Sequence, residues 1–312
     1  MAKCFRCRGP GPEPDQAVCA NQVKPRLQIL GVAVLAGVLL PATGAQPIVL
    51  QRFSLPGPVA GVVARVDLRD PRISVQVAMA EGGEPRGAQS DCVGRLDVPS
   101  AIARRQDFAV AVNASYFSAA AKEVGGAKVH FFVGNCGTPV GWQASEGRIR
   151  TRPSQPHIQA TLVGHASGQL TLHPRLDELP AGARFAVGGS ALVLERGRVI
   201  AESRSEIRHP RTAVGVSEDG GTLMLVVVDG RQEGHSRGAT LAELGNLLKG
   251  FGAHHAINLD GGGSTAMVAR DPATGVFAVL NRPSDPAAGL PGSRVERPVV
   301  DVLGVRLLDP RP

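Results

Sequence analysis

Aromatic residues make up only 4% of this 312-residue chain, with one Trp and one Tyr. So thin a supply, with basic residues scattered rather than gathered, excludes the stacking platforms that hold nucleic acid. Long apolar runs are missing too. The run Leu27–Leu40 has 14 residues, short of the roughly 20 that span a bilayer. No Gly-Lys-Ser/Thr closes a glycine-rich loop, which excludes a P-loop. His157, His165 and His173 lack compact metal-ligand spacing and read as surface or core histidines. Cysteine is scarce: of five, Cys4, Cys7 and Cys19 lie in the first 20 residues, and a Cys4-x-x-Cys7 without a second pair is a weak metal signal. Neither internal repeats nor a domain linker are visible.

What is abundant is Gly, with 39 residues, and Pro, with 24, beside 43% hydrophobic residues. This suits a loop-rich, β-containing globule rather than a helical bundle. Lys24-Pro25-Arg26, the apolar run and then Pro41-Ala-Thr-Gly-Ala45 follow the secretory pattern, with cleavage expected near Ala45. The expected organisation is a disordered start plus signal peptide over 1–45 and one domain over 46–312. Export would make the protein periplasmic or secreted, and an uncleaved leader would be its membrane link. The remaining pair, Cys92 and Cys136, is then expected to form a disulfide. Closing about 45 residues, it is worth roughly 4 kcal/mol, less any strain. Net charge is +7; residues 1–45 carry five basic residues against Glu13 and Asp15, leaving +4 downstream. That mild positive field favours an anionic substrate.

Strands are expected at 48–53, 59–68, 73–79 and 108–112, with a helix over 98–106 capped by Asp97 or Ser100. A hairpin is expected from 157–163 and 169–172, and another around Arg196-Gly197-Arg198. Thr222–Val228 is apolar throughout, as a central buried strand should be. Thr240-Leu-Ala-Glu243 is a capping box that opens a helix ended by Gly250 and Gly252. Strand, loop, helix and strand over 222–259 read as a crossover unit. The stretch 118–153 reads as a lid or wall loop, or else as a disulfide-pinned surface excursion.

The chain is organised around 254–267, His-His-Ala-Ile-Asn-Leu-Asp-Gly-Gly-Gly-Ser-Thr-Ala-Met. Asn258 and Asp260 share one face of a short strand. Gly261, Gly262 and Gly263 let a ligand approach the backbone closely and leave N–H groups free for an anion. Ser264 and Thr265 add hydroxyls. The bland alternative is a turn in which Asp260 only organises backbone. Gly262-Gly263-Ser264-Thr265-Ala266 is not a nucleophile elbow, because the second Gly of G-x-S-x-G is missing.

Four motifs follow one another at close spacing: Arg208-His-Pro-Arg-Thr-Ala-Val-Gly215, Val228-Asp-Gly-Arg231, Ser236 with Thr240-Leu-Ala-Glu-Leu, and Ala256 to Thr265. Together they resemble the phosphodiester glycosidase family over roughly residues 100–305. Asn113-Ala-Ser-Tyr-Phe117 looks like that family's upstream motif, with Ala114 where Gly is usual. The resemblance implies an α+β fold: a large mixed, mainly antiparallel sheet with flanking helices in a single catalytic domain. It implies hydrolysis of a sugar 1-phosphodiester, with a phosphorylated glycan as partner, and for bacterial relatives a role in envelope or exopolysaccharide metabolism.

On that reading Arg211 clamps the phosphate, with Arg231 second, because a planar fork suits two phosphate oxygens. Asp260 is the acid/base or nucleophile and Asp229 its natural partner. Asn113 and Asn258 bind sugar hydroxyls or orient the carboxylates. The amides of Gly261, Gly262 and Gly263, with Ser264, bind phosphate or sugar. Ser236 and Thr265 complete the substrate-binding set. His209 is a phosphate contact or a surface residue, and Glu296 a reserve carboxylate. No cofactor is required; Asp229, Asp260 and Asn258 are oxygen ligands suited to Ca²⁺ or Mg²⁺. Two other readings stand beside this one. One is a non-catalytic envelope protein that binds anionic polysaccharide. The other is a hydrolase with Ser264 or Ser236 as nucleophile.

Overall fold

Thr222–Val228 alternates two buried faces, and each meets a different core. Leu223, Leu225 and Val227 join the main core, whereas Met224, Val226 and Val228 pack under a helix. The period of 2 along the strand imposes this division. Val59–Asp67 repeats it: Val62, Ala64 and Val66 face the main core and Val63 the helix side. Truncating one such side chain to Ala costs about 2–5 kcal/mol.

This computed structural model describes residues 46–80, 92–200, 207–287, 290 and 292–309. The proposed leader and residues 81–91, 201–206, 288–289, 291 and 310–312 lie outside the described residues. Residues Ala45–Pro312 cluster as one unit.

Three sheets enclose the main core. The seven-stranded sheet has the order 48–55, 59–67, 222–228, 211–216, 255–258, 191–195, 198–199. A second sheet runs 148–151, 143–145, 183–189, 160–165, 170–173, and a third 277–279, 267–270, 110–113, 301–307, 73–79. Val62, Leu162 and Leu303, one from each, belong to a single cluster. The expected single large sheet is therefore three sheets around one interior. Every strand pairing given for them is antiparallel.

The crossover is present in split form. Strand 211–216 pairs antiparallel with both 222–228 and 255–258, so those two run parallel on either side of it. Helix Leu241–Gly250 bridges them, and Leu244 and Leu248 cover the sheet's outer face. Its capping box is complete, with Glu243 N donating to Thr240 Oγ1 at 3.2 Å and Thr240 N to Glu243 Oε2 at 2.9 Å. Helix Pro99–Arg105 covers the third sheet. These are the only α-helices among the described residues, so the flanking helical layer is thinner than the α+β reading implied. Neither Asp97 nor Ser100 caps the first helix at its N-cap, Val98. Glu296 accepts from Ser100 N at 2.8 Å and from its hydroxyl instead. Cys92 and Cys136 are bonded, with Cα atoms 5.3 Å apart.

Candidate active site

Strand register brings the motifs to one end of the seven-stranded sheet. Arg211 opens its strand opposite Val228, next to Asp229, and Ala213 pairs with Asn258, two residues before Asp260. Ser190 precedes the strand on the other side, where Ala191 pairs with Asn258. The third sheet supplies Asn113, at the end of 110–113 and opposite Val302, beside Asp301.

Asn113 stitches the two sheets together. Its Nδ2 donates to Asp260 O at 2.7 Å, and its Oδ1 accepts from Thr212 Oγ1 at 2.6 Å and Ala266 N at 3.1 Å. It is 1% exposed, so its amide is spent on fixing Asp260 and not on a sugar. Asp260 N donates to Ala114 O at 3.1 Å, completing the seam.

The glycine corner is tighter than a cradle. A Cβ on Gly261 would meet Pro210 O at 2.6 Å, and one on Gly263 would collide with the Arg297–Asp285 ion pair. Gly262 has φ 62° and donates to Pro210 O at 2.9 Å. Gly261 N serves the Asp260 carboxylate. The expected row of free amides is therefore largely consumed, because Gly262–Ser264 folds into a 3-10 turn that bonds inward. Only Gly263 N has no assigned acceptor among the described residues.

Anion binding falls to the guanidiniums. Arg211 Nε donates to Ala239 O at 2.9 Å, and Arg231 Nη2 to His209 Nδ1 at 3.2 Å. Neither forms an ion pair with a carboxylate among the described residues. Arg231 has φ 58°, a strained conformation of the kind that collects at functional sites. Burial, then the Arg211 and Arg231 charges, hold His209 below its usual pKa. It stays neutral and accepts from Arg231, so it orients that guanidinium instead of binding phosphate as a cation. Burial also lowers Arg211, with Arg231 adding to the effect.

Tyr116 lies within electrostatic reach of both Asp260 and Arg211. Burial pushes the Asp260 carboxyl up to about 7, opposed by the Ser264 hydroxyl, Arg297 and Gly261 N and reinforced by Asp301. Ser264 thus holds Asp260, and its 2% exposure leaves it little room to act as a nucleophile. Tyr116 Oη accepts from Asn258 Nδ2 at 2.7 Å, and the same amide donates to Ser190 Oγ at 2.8 Å. Asn258 Oδ1 and Thr265 Oγ1 are buried without hydrogen-bond partners among the described residues.

Asp229 differs from its expected role. Its Oδ1 accepts from Asn281 Nδ2 at 3.0 Å and Arg282 N at 2.9 Å, and its Oδ2 lies 2.8 Å from His235 Nε2. With both oxygens taken and 4% exposure it fixes loops, and the carboxylate that Asp260 senses is Asp301. Asp301 accepts from Ser115 N and Oγ at 2.9 and 2.8 Å, and burial lifts it to about 6. Ser236 is equally committed: its hydroxyl donates to Asp229 O at 2.6 Å and accepts from Ala60 N at 3.1 Å, at 0% exposure. It is neither a substrate contact nor a free nucleophile. Glu296, held by Ser100 of the first helix, is no reserve for this site. No group of three or more His, Cys, Asp or Glu converges among the described residues, and the oxygens of Asp229 are unavailable to the cation set considered above.

Sequence reasoning missed Tyr116, Ser190, Arg297 and Asp301. Tyr116 lay inside a motif and Ser190 behind Gly188-Gly189, which were usable signals; the other two had none. A cavity of about 340 Å³ lies elsewhere, lined by Ile73, Gln76, His165 and Arg184.

No curated protein sequence matches the chain. Among solved structures, the catalytic domain of zebrafish N-acetylglucosamine-1-phosphodiester alpha-N-acetylglucosaminidase, auto-inhibited by its pro-peptide, is 24% identical, with 85% of each chain covered and a TM-score of 0.60. A Burkholderia pseudomallei protein described as exported is 17% identical over 80% of this chain and 74% of its own, TM-score 0.56. A hypothetical Synechocystis protein is 19% identical over 83% and 61%, TM-score 0.52. At these identities the likeness shows the fold. The phosphodiester glycosidase family matches residues 106–306; with that match spanning most of the domain, the chain belongs to this family.

Proposed function

We propose that the protein hydrolyses a sugar 1-phosphodiester, breaking the bond between the anomeric carbon and the phosphate ester. One observation carries this: two guanidiniums without carboxylate partners among the described residues, Arg211 and Arg231, border the Gly261–Gly262 corner that follows Asp260, whose carboxyl is held at about 7. A phosphate monoester leaves readily, so the site needs charge stabilisation more than a strong acid. Arg211 and Arg231 neutralise the departing phosphate, and His209 keeps Arg231 in place. Asp260 in its ionised form supports the anomeric carbon, as a base toward water or as a nucleophile. With Asp229 committed elsewhere, one carboxylate does the work that glycosidases usually divide between two.

Because Asp260 acts ionised, kcat/KM should fall about tenfold per pH unit below about 7. Incubation with a panel of sugar 1-phosphodiesters, reading phosphate-ester release, tests the activity. No release from any member, with tight retention of anionic polysaccharide, would favour a binding protein. Export through the 1–45 leader and a role in envelope or exopolysaccharide metabolism belong to the same reading. N-terminal sequencing of protein recovered outside the cytoplasm tests the export.

A further inference from the structure

The wall segment between the Asn113 motif and Cys136 reaches the glycine corner through its contact with Arg297, a residue to which the proposed chemistry gives no part. Arg297 Nε and Nη2 donate to the two oxygens of Asp285 at 2.8 and 3.0 Å. Its guanidinium carbon lies 4.2 Å from the centroid of the Phe131 ring. The bare backbone of Gly263 touches the same group: a Cβ there would come within 2.2 Å of that carbon and 2.4 Å of Asp285 Oδ1. Glycine at 263 is therefore what lets the ion pair approach the corner so closely.

The ring is itself fixed. Phe131 meets Phe117 edge-on at 5.8 Å. Phe117 opens strand Phe117–Ala119, which pairs with Cys136–Pro139, and Cys136 is bonded to Cys92. Asn135 Nδ2 donates to His130 O and Ala120 O, tying the 130–135 stretch to the end of the same strand. The Arg297 side chain is 21% exposed, so salt and water screen its charge less than that of a surface arginine. Burial raises the Asp260 carboxyl; Ser264, Arg297 and Gly261 N lower it, and Asp301 raises it further. Tyr116 also lies in reach. Asp285, although paired with the guanidinium, is not among the charges acting on Asp260. The ion pair thus shows Asp260 its positive end.

We propose that Arg297 is a positioning residue of this site: gripped by Gly263, Asp285 and the Phe131 ring, it presents a fixed positive charge that steadies the Asp260 carboxylate. This deepens the hydrolase reading and rests on it for the reaction that the carboxylate serves.

The test is an NMR titration of the full chain labelled with ¹³C at the aspartate carboxyls, the Asp260 signal being the one lost in Asp260→Asn. A midpoint of about 7 is expected in the wild type. Arg297→Gln should raise that midpoint by about one unit, the size of a lost neighbouring charge, and Arg297→Lys should recover at least about half of the shift. Gly263→Ala pushes the guanidinium away without removing it. It should move the midpoint in the same direction, and it carries the test if Arg297→Gln does not fold. In the double variant Arg297→Gln/Asp285→Asn the midpoint should stay above the wild-type value. A return to the wild-type value there would make the ion pair a neutral brace and overturn the proposal. So would an unmoved midpoint in Arg297→Gln or in Gly263→Ala. The readout needs no substrate, so a failure to release phosphate ester would count against the hydrolase reading alone.

Discussion

Asp229 and Asp260 have nearly the same local sequence. Each follows an apolar strand and precedes glycine, and each sits at the same end of one sheet. Their surroundings separate them. Three donors or ring nitrogens close on Asp229, while the half-buried Asp260 has one hydroxyl, one amide and Arg297 against the pull of desolvation. A carboxylate whose lone pairs are saturated holds structure. One that is buried and under-satisfied keeps a proton in play near neutral pH. The arginines divide the same way: Arg297 and Arg208 are paired with Asp285 and Glu243, whereas Arg211 and Arg231 have no carboxylate partner among the described residues.

The sharpest test of this division is Asp260→Asn. We expect at least a ~100-fold loss in kcat with the fold retained, the lower range for a lost acid/base group. Near-normal turnover would erase the distinction from Asp229. Next, Arg211→Lys should cost about 10- to 100-fold in kcat/KM on a sugar 1-phosphodiester, the value of a charge-assisted fork, and under threefold on a neutral glycoside. Equal losses on both would remove the phosphate contact.

Asp229→Ala should act on stability instead. Losing the bonds from Asn281 Nδ2, which keeps Thr265 O, and from Arg282 N costs roughly 2–4 kcal/mol, seen as a Tm drop of about 5 °C or more, with kcat within tenfold. A large kcat loss at unchanged Tm would place Asp229 back in the chemistry.

The smallest expected effect is on pH-dependent stability. Folded Asp260 and Asp301 titrate at about 7 and about 6, against 3.8 for the free group. Between roughly pH 4 and 7 the folded chain therefore binds more protons than the unfolded one, and stability falls as pH rises. Scanning calorimetry should give a lower Tm at pH 8 than at pH 5. A Tm that rises over this interval would mean that these carboxyls are not held protonated by burial.

Much of the fold was legible because apolar periodicity and capping are local. Thr222–Val228 read as a two-sided buried strand, Thr240–Glu243 as a helix start, and both are so. Strand Met267–Arg270 starts only past the inward-bonding turn at Gly262–Ser264. Cys92 and Cys136 needed only to be the last two left. The site was legible as a list of residue types. Its roles were not: Asn113, Ser236 and the glycine amides offered the right polar groups but spend them on partners up to 176 residues away.

Sequence alone determined the element types, the family motifs and the candidates Arg211 and Asp260. It did so because periodicity, capping and glycine chemistry act over a few residues. Tertiary structure decided which acid is free, which arginines are unpaired and that Tyr116, Arg297 and Asp301 surround Asp260. Burial and hydrogen-bond saturation depend on strands meeting from three sheets, and no stretch of chain carries that information by itself.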